Sequence, residues 1–237
     1  MRHALVGVHG DLGYFVPESK RQAAFEVEFE LPVGLRDLVQ AAGVPHVEVG
    51  RLTVNGDPAD WSLVIDEGAC VEVHPRFPLT EPPADPRFLL DAHLGKLASY
   101  LRLVGLDAEH DPAEDDPALV QRSNTEQRIL LTRDRGLLMH GSLLCGSYVR
   151  SIRPLGQAVE VVQRFALGGV LEPFSRCMVC NHLLADAAPG DVVGRVPDSV
   201  AEDYAEFRLC TGCGRVYWQG SHHRRLQRIV RTIVQGE

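Results

Sequence analysis

The feature that most constrains the fold of this chain is a set of four cysteines arranged as two C-x-x-C pairs. Cys177 and Cys180 form the first pair, and Cys210 and Cys213 form the second. In each pair two thiolates can reach one ion, and two such knuckles complete a tetrahedral site. A redox function needs only one C-x-x-C and would leave the second pair unexplained. The spacing therefore predicts a structural zinc ion, because four cysteines leave no coordination position open.

A proline-rich stretch, PLTEPPADP at 78–86, predicts where the chain divides. Its four prolines exclude helix and sheet pairing, so we expect an extended spacer there. We place a first domain at residues 1–78, the linker at 79–86, a second domain at 87–172, and the cysteine-rich domain with a basic tail at 173–237.

The first domain has alternating and periodic segments in the order strand, strand, helix, strand, strand. The segments are ALVGVHG, AFEVEFELP, GLRDLVQAAGVP, RLTVNGDPA and ACVEVHP. This order resembles the β-grasp fold, and the VNG turn with the late DEG-x-x-V-x-V-x-P resembles the ubiquitin-like sulfur carriers. Those carriers end in a free Gly-Gly, whereas this chain continues, so the resemblance implies the α+β fold without the carrier function. A protein partner for such a domain stays an open alternative.

The second domain alternates strands and helices. FLL predicts a short buried strand, LGKLASYLRLVG a helix, DPALVQRSNTEQ a second helix, and RILLT a further strand, followed by GSYVRSI and the helix LGQAVEVVQRFAL. This alternation is typical of a mostly parallel sheet covered by helices. The sequence therefore predicts an α/β domain.

Acidic residues follow both principal strands of this domain. Asp91 ends FLL and Asp134 ends ILLT, while Asp115 and Asp116 precede the helix PALVQ. In an open α/β sheet, ligands bind outside the carboxyl ends of the strands. Converging carboxylates repel one another, and a hard divalent cation such as Mg²⁺ or Mn²⁺ relieves the repulsion. Each acid has a second interpretation, since aspartate also caps helices and an acidic run can be solvated surface.

Basic residues beside these acids suggest what such a site would act on. Arg133 and Arg135 flank Asp134, so they would border a phosphate that the bound cation also touches. Divalent cations activate water and neutralise the leaving oxygen in phosphodiester hydrolysis. The sequence thus predicts a phosphate-directed hydrolase site at this edge of the sheet.

Charge is distributed unevenly along the chain. The formal net charge is −8, and residues 1–84 hold 6 Lys/Arg against 13 Asp/Glu, but residues 208–237 hold six arginines and one glutamate. On a helix, Arg224, Arg228 and Arg231 share one face and predict a phosphate-binding ridge, or else a solvated face. Tyr217 and Trp218 either pack on the ribbon or stack on bases. No apolar run approaches the ~18 residues that span a bilayer, so we expect a cytoplasmic protein with no membrane partner.

The motifs RFLLDAHLGKLASYLRLVGLD, DD-x-x-L, RILLTRDRGL, C-x-x-C…C-x-x-C and VYWQGSHHRRL together resemble the Mut7-C RNase family. The resemblance covers almost the whole chain. It implies a PIN-like nuclease domain with a C-terminal zinc ribbon, preceded by a ubiquitin-like domain as in some members. By position, Asp91, Asp116 and Asp134 match the family's acids, with Asp115 an immediate alternative to Asp116. One departure is that RDRGLLMHG lacks a fourth acid, which favours one metal ion or a weaker second site.

These patterns lead us to expect a metal-dependent ribonuclease, with Lys96 as a further RNA contact beside Arg133, Arg135 and the tail arginines. One rival is a catalytically weak RNA- or ribosome-binding zinc-ribbon protein in which the acids are vestigial. A second rival is a protein–protein adaptor that acts through the ubiquitin-like domain. The sequence does not name the RNA or distinguish internal from terminal cleavage.

Overall fold

The computed structural model describes residues 1–236, and its elements alternate in type along the chain. The strands are β1 (Arg2–Val8), β2 (Phe25–Phe29), β3 (Val33–Gly34), β4 (Val49–Val54), β5 (Asp57–Ala59), β6 (Val64–Ile65), β7 (Cys70–Pro75), β8 (Arg87–Leu90), β9 (Asp107–His110), β10 (Ile129–Thr132), β11 (Gly146–Tyr148), β12 (Leu184–Ala187), β13 (Phe207–Cys210) and β14 (Val216–Trp218). The α-helices are α1 (Leu35–Ala41), α2 (Gly95–Leu103), α3 (Asp116–Thr125), α4 (Arg135–Leu138), α5 (Pro154–Arg164), α6 (Asp198–Asp203) and α7 (His223–Gln235).

The chain forms two compact units. The first contains residues 1–79 and 116–148, and the second contains residues 80–115 and 149–237. The division after residue 79 lies within the proline-rich stretch, and the first unit also includes residues 116–148 from beyond that stretch. The segment 116–148 belongs with the N-terminal domain, a grouping that the composition of the chain does not suggest.

The first unit contains a five-stranded sheet in the order β2-β1-β7-β4-β5. Its central strands β1 and β7 are parallel, and their neighbours β2 and β4 pair antiparallel to them. Asn55 and Gly56 both have positive φ, as the tight turn between β4 and β5 requires. Leu35, Leu38 and Val39 of α1 are fully or almost fully buried. This is the ubiquitin-like α+β arrangement expected from the sequence.

Within the same unit, β10 pairs parallel with β11. Ile129–Thr132 is buried at every position, which is typical of a strand covered on both faces. Helix α3 begins at Asp116. Pro117 fits in its first turn, because the backbone N–H groups there have no hydrogen-bond partner within the helix. Helix α4 is a single turn that begins directly after Asp134.

In the second unit, β8 pairs parallel with β9, and α2 connects them. Strand β9 was not expected, because half of its residues are acidic and the sequence predicted no strand there. Phe88 of β8 packs edge-on against Phe165 beyond α5, with ring centroids 5.4 Å apart. Gly105 ends the helix with a φ of 93°, and a side chain there would collide with the Glu172 carbonyl, so only glycine fits.

The cysteine-rich part of the second unit is a three-stranded antiparallel sheet in the order β12-β13-β14. Its apolar core is small: Val192, Val196 and Phe207 are buried together. The long segment between the two C-x-x-C pairs forms β12, α6 and their connecting turns. With so few buried apolar side chains, this sheet needs another source of cohesion.

Candidate metal centre and nucleic-acid interface

The four cysteines converge at one end of the ribbon sheet. Cys210 ends β13 and Cys213 lies in the turn before β14, while Cys177 and Cys180 form the turn that precedes β12. Their Sγ atoms all lie within 4.8 Å of one another. The separation is 3.7 Å between Cys177 and Cys213 and 3.3 Å between Cys180 and Cys210. Tetrahedral ligation at a Zn–S length of ~2.3 Å needs sulfurs ~3.8 Å apart, so the donor set fits zinc.

The surroundings of Cys177 and Cys180 lower the pKa of both thiols and favour the thiolate, which is the form that binds metal, whereas burial raises the pKa of Cys210. Burial opposes ionisation of Cys180, but hydrogen bonds from the His182 backbone N–H and from the Cys210 thiol outweigh it and lower the pKa of Cys180 to about 6. The Tyr217 hydroxyl lies 3.1 Å from Cys177 Sγ. Burial and the adjacent Cys177 sulfur raise the pKa of Tyr217, so its phenol keeps the proton that it can share with the thiolate. Tyr217 thus packs on the ribbon.

Both glycines around Cys213 are required, for different reasons. Gly214 has a φ of 70°, a conformation that L-residues rarely adopt. At Gly212 a side chain would overlap the His182 ring. The tight turn of the second knuckle thus depends on the backbone freedom of Gly214 and on the small size of Gly212.

The first knuckle is bound to the edge of β9. Arg102, which is buried, donates to the carbonyls of Ala108 and Val179 at 2.7 and 2.8 Å. The Asn181 side chain donates to Asp107 and Glu109 at 2.8 Å each. Asp107 and Glu109 of β9 therefore hold the ribbon against the sheet.

Asp91 and Asp115 lie in the second unit. Asp91 directly follows β8 and is 6% exposed, and its Oδ1 accepts a hydrogen bond of 2.9 Å from the His93 N–H. It caps the short 3-10 helix Ala92–Leu94 that leads into α2. Asp115 is exposed at the end of the loop after β9. The capping interpretation of Asp91 is therefore confirmed.

Asp116 and Asp134 lie in the first unit, and both are exposed. Asp116 opens α3. Asp134 follows β10, and its Oδ1 accepts hydrogen bonds from the N–H groups of Gly136 and Leu137 at 2.6 and 3.3 Å. Within residues 1–236 its Oδ2 has no hydrogen-bond partner, so this oxygen can approach a cation.

The basic residues predicted to contact RNA have different surroundings. Arg135 donates to the backbone carbonyls of Phe15 and Gly43, and its guanidinium lies 5.6 Å from the Phe15 ring centroid. Arg135 therefore attaches α4 to the ubiquitin-like domain. Arg133 is half-buried beside it. Lys96 is exposed in the first turn of α2, with its ammonium 4.9 Å from the centroid of Tyr100.

The C-terminal helix has the two faces that its sequence predicts. Val230 and Ile233 are buried, and Leu226 and Ile229 are half-buried, so these residues anchor the helix. The remaining face is basic and exposed and carries Arg224, Arg225, Arg228 and Arg231.

A second contact between the ubiquitin-like domain and the segment 139–143 was missed by the sequence analysis. Arg36 donates to the Gly141 carbonyl at 2.6 Å, Gln40 to the Met139 carbonyl at 3.0 Å, and His46 to the Leu143 carbonyl at 2.8 Å. Glu48, 1% exposed, accepts from the Tyr148 N–H at 2.6 Å. Nothing in the local pattern points to these bonds, although a glutamate inside an apolar stretch, VPHVEVG, is a signal that it has a specific partner.

Within residues 1–236, the cysteines are the one set of three or more potential ligand side chains whose donor atoms all lie within 4.8 Å. None of the helices in that range combines the length and the apolar character needed to cross a bilayer.

Comparison with known proteins assigns both parts of the chain. Residues 1–80 match the Mut7-C ubiquitin model, and residues 86–230 match the Mut7-C RNAse domain model. No curated protein matches. A solved structure, the H. volcanii small archaeal modifier protein 1, aligns at 16% identity over 32% of this chain and 98% of its own, with a TM-score of 0.25. The second match covers more than half of the residues and indicates a nuclease-like function; the chain belongs to the Mut7-C RNAse domain family.

Proposed function

We propose that this protein is a metal-dependent ribonuclease whose cation is held by Asp91, Asp134 and one of the pair Asp115 and Asp116. The observation that carries the proposal is that the RNAse-domain match, residues 86–230, contains all four acids. Two of them stand directly after parallel strands, where ligands of open α/β sheets bind.

The donor chemistry of these residues suits a hard cation. Carboxylate oxygens are the ligands that Mg²⁺ and Mn²⁺ prefer. In Asp134, backbone N–H groups bond to Oδ1 and fix the carboxylate, so Oδ2 is presented at the start of α4. When bound, the cation would activate water and neutralise the leaving oxygen of the phosphodiester.

The protein's own groups would perform the remaining tasks. The backbone bonds to Asp91 and Asp134 keep both carboxylates oriented before RNA arrives, which reduces the cost of organising the site. Arg133 and Lys96 would bind phosphates next to the one that is cut. Arg135 could contact RNA only while sharing its guanidinium with the Phe15 and Gly43 carbonyls, so we assign it chiefly to positioning α4.

We assign the ribbon's zinc a structural role. Four sulfurs at tetrahedral spacing leave no position for substrate. The small apolar core of Val192, Val196 and Phe207 makes metal ligation the main source of cohesion in this part of the chain.

A second candidate function, RNA binding without efficient cleavage, is favoured by one observation. The segment 135–145, which follows Asp134, contains no acidic residue that could complete a two-metal site. RNA binding by both the wild type and Asp134→Asn, with no cleavage by either in Mg²⁺ or Mn²⁺, would select this alternative.

The test of the ribonuclease is a cleavage assay on mixed cellular RNA. The wild type should cut in Mg²⁺ or Mn²⁺ and stop when the cation is removed. Asp91→Asn and Asp134→Asn should be inactive while they retain RNA binding and zinc. Asp198→Asn is a matched control, because that exposed aspartate lies in α6 and has no part in the proposed site. Full activity of Asp134→Asn would refute the assignment.

A further inference from the structure

An aromatic chamber opens beside the zinc ribbon within the second unit. It has a volume of about 700 Å³, which lies in the range of ligand pockets, and is bounded by the ribbon sheet, the end of α2 and the start of α7. None of the rings that line it ligates metal, and they are Phe174, Phe207, Tyr217, Trp218 and His223. Trp218 is 36% exposed, so part of its indole faces solvent and can contact a ligand.

The chamber wall is held in a defined conformation. Phe174 adopts a φ of 63°, a left-handed conformation that is unfavourable for a bulky residue and is found mainly where the surroundings impose it. Arg208 donates to the Phe174 carbonyl at 2.8 Å and fixes this backbone. The Phe174 ring then lies 4.8 Å from the His223 ring. The rings are therefore organised before any ligand binds.

A second groove adjoins the chamber near the start of α7. It is bounded by Lys96, His222 and Arg225 together with apolar residues, and no acid lines it. Met178 and Leu226 line both cavities, so the two are neighbours. The groove is a cationic site, whereas the arginines of the chamber are engaged by protein groups such as Asp186.

We propose that the chamber takes an unpaired base of single-stranded RNA, stacked on Trp218, and that the Lys96–His222–Arg225 groove binds the adjoining phosphate. An aromatic surface and a cationic groove side by side are the two elements from which proteins bind single strands. This inference rests on the proposed function for the identity of the strand, and it names an unpaired strand as the substrate class.

The placement of Lys96 connects this subsite to the proposed catalytic acids. Asp91 caps the 3-10 turn that leads into α2, and Lys96 is the second residue of α2. Five residues of 3-10 and α-helix advance ~9 Å along the axis. A strand held at the groove would thus pass close to Asp91. Double-stranded RNA, whose bases are paired and stacked, could not place a base in the chamber.

Trp218 itself reports on the stacking. The chain contains two tryptophans, so Trp61→Phe leaves Trp218 as the sole indole. In the Trp61→Phe, Asp134→Asn chain without added Mg²⁺ or Mn²⁺, we expect single-stranded RNA to quench the fluorescence. An abasic ribose-phosphate oligomer of equal length, or a duplex, should not. Quenching by RNA in this chain, together with no cleavage by the wild type in Mg²⁺ or Mn²⁺, would uphold the subsite and reject the nuclease. Cleavage with no change in fluorescence at saturating RNA would reject the subsite alone.

Binding titrations of variants supply the second measurement. Trp218→Ala should weaken binding of single strands by about 5- to 150-fold, the range for one base–aromatic stack, while Trp218→Phe should restore most of the affinity. Arg225→Ala should weaken the RNA and the abasic oligomer equally. Arg195→Ala, an exposed arginine outside both cavities, is the charge-matched control. Zinc content reports that each ribbon is folded. Wild-type affinity in a zinc-loaded Trp218→Ala protein would overturn the proposal.

Discussion

The exposed arginine face of α7 offers a quantitative prediction about salt. Arg224, Arg228 and Arg231 are exposed on a helix whose opposite side is anchored by Val230 and Ile233. Changing the three arginines to alanine should therefore remove phosphate contacts and leave the fold intact. Each contact with a single strand contributes ~0.7 to the slope of log K against log salt, so the variant's slope should be shallower by ~2.

That change in slope has a measurable size. Between ~50 mM and ~200 mM salt, a slope difference of ~2 changes the ratio of wild-type to variant affinity by ~20-fold. The variant should thus bind much more weakly than the wild type at low salt and approach it at high salt. Titration of RNA against both proteins at several salt concentrations gives the slopes directly.

A control with the same change in net charge separates local contact from general attraction. Arg51, Arg153 and Arg195 are also exposed but lie outside this face, and their replacement by alanine should change the slope much less. Equal slopes for wild type and the α7 variant would refute the reasoning. The arginine face would then be solvated surface, and RNA would bind through Arg133 and Lys96.

Two further predictions concern stability. Cys177→Ser, or zinc chelation, should make the chain near residue 180 sensitive to protease, because metal ligation stabilises a ribbon whose apolar core is small. Metal analysis of the wild type should give one zinc per chain. Equal protease resistance of wild type and Cys177→Ser would contradict this prediction. Burial and the nearby Arg36 guanidinium lower the pKa of His46, so its contribution to stability is complete above about pH 6.5 and is lost as the pH falls. The free energy of unfolding, measured with urea, should therefore fall less between about pH 7 and 5 in His46→Gln than in wild type. The same pH dependence of this free energy in both proteins would contradict the prediction.

The features that sequence analysis predicted well are those with local causes. The cysteine spacing within each knuckle is enough to bring two sulfurs to one ion, and the four sulfurs do converge. Gly105 was expected to end α2, and its backbone conformation explains why. The order of strands and helix along the ubiquitin-like domain follows from periodicity and an Asn-Gly turn, both of which can be read over a few residues.

The features that it missed depend on partners distant in sequence. Strand β9 is half acidic and does not look like a buried strand, but Asn181 of the first knuckle satisfies Asp107 and Glu109. Arg135 has the sequence context of a phosphate ligand, whereas its guanidinium bonds the carbonyls of Phe15 and Gly43. Local periodicity carries no information about either contact. The grouping of residues 116–148 with the N-terminal domain also depends on contacts between residues distant in sequence, so it was not predicted.

The central claim is that carboxylates after the strands of the RNAse domain hold a catalytic cation. The most direct measurement is single-turnover cleavage of RNA by wild type and Asp134→Asn over a range of Mn²⁺ concentrations, with RNA binding measured on the same samples. The account predicts cation-dependent cleavage by the wild type and, for Asp134→Asn, a loss of cleavage with unchanged or tighter RNA binding. Cleavage by Asp134→Asn at the wild-type rate, or wild-type cleavage that persists without any divalent cation, would contradict it.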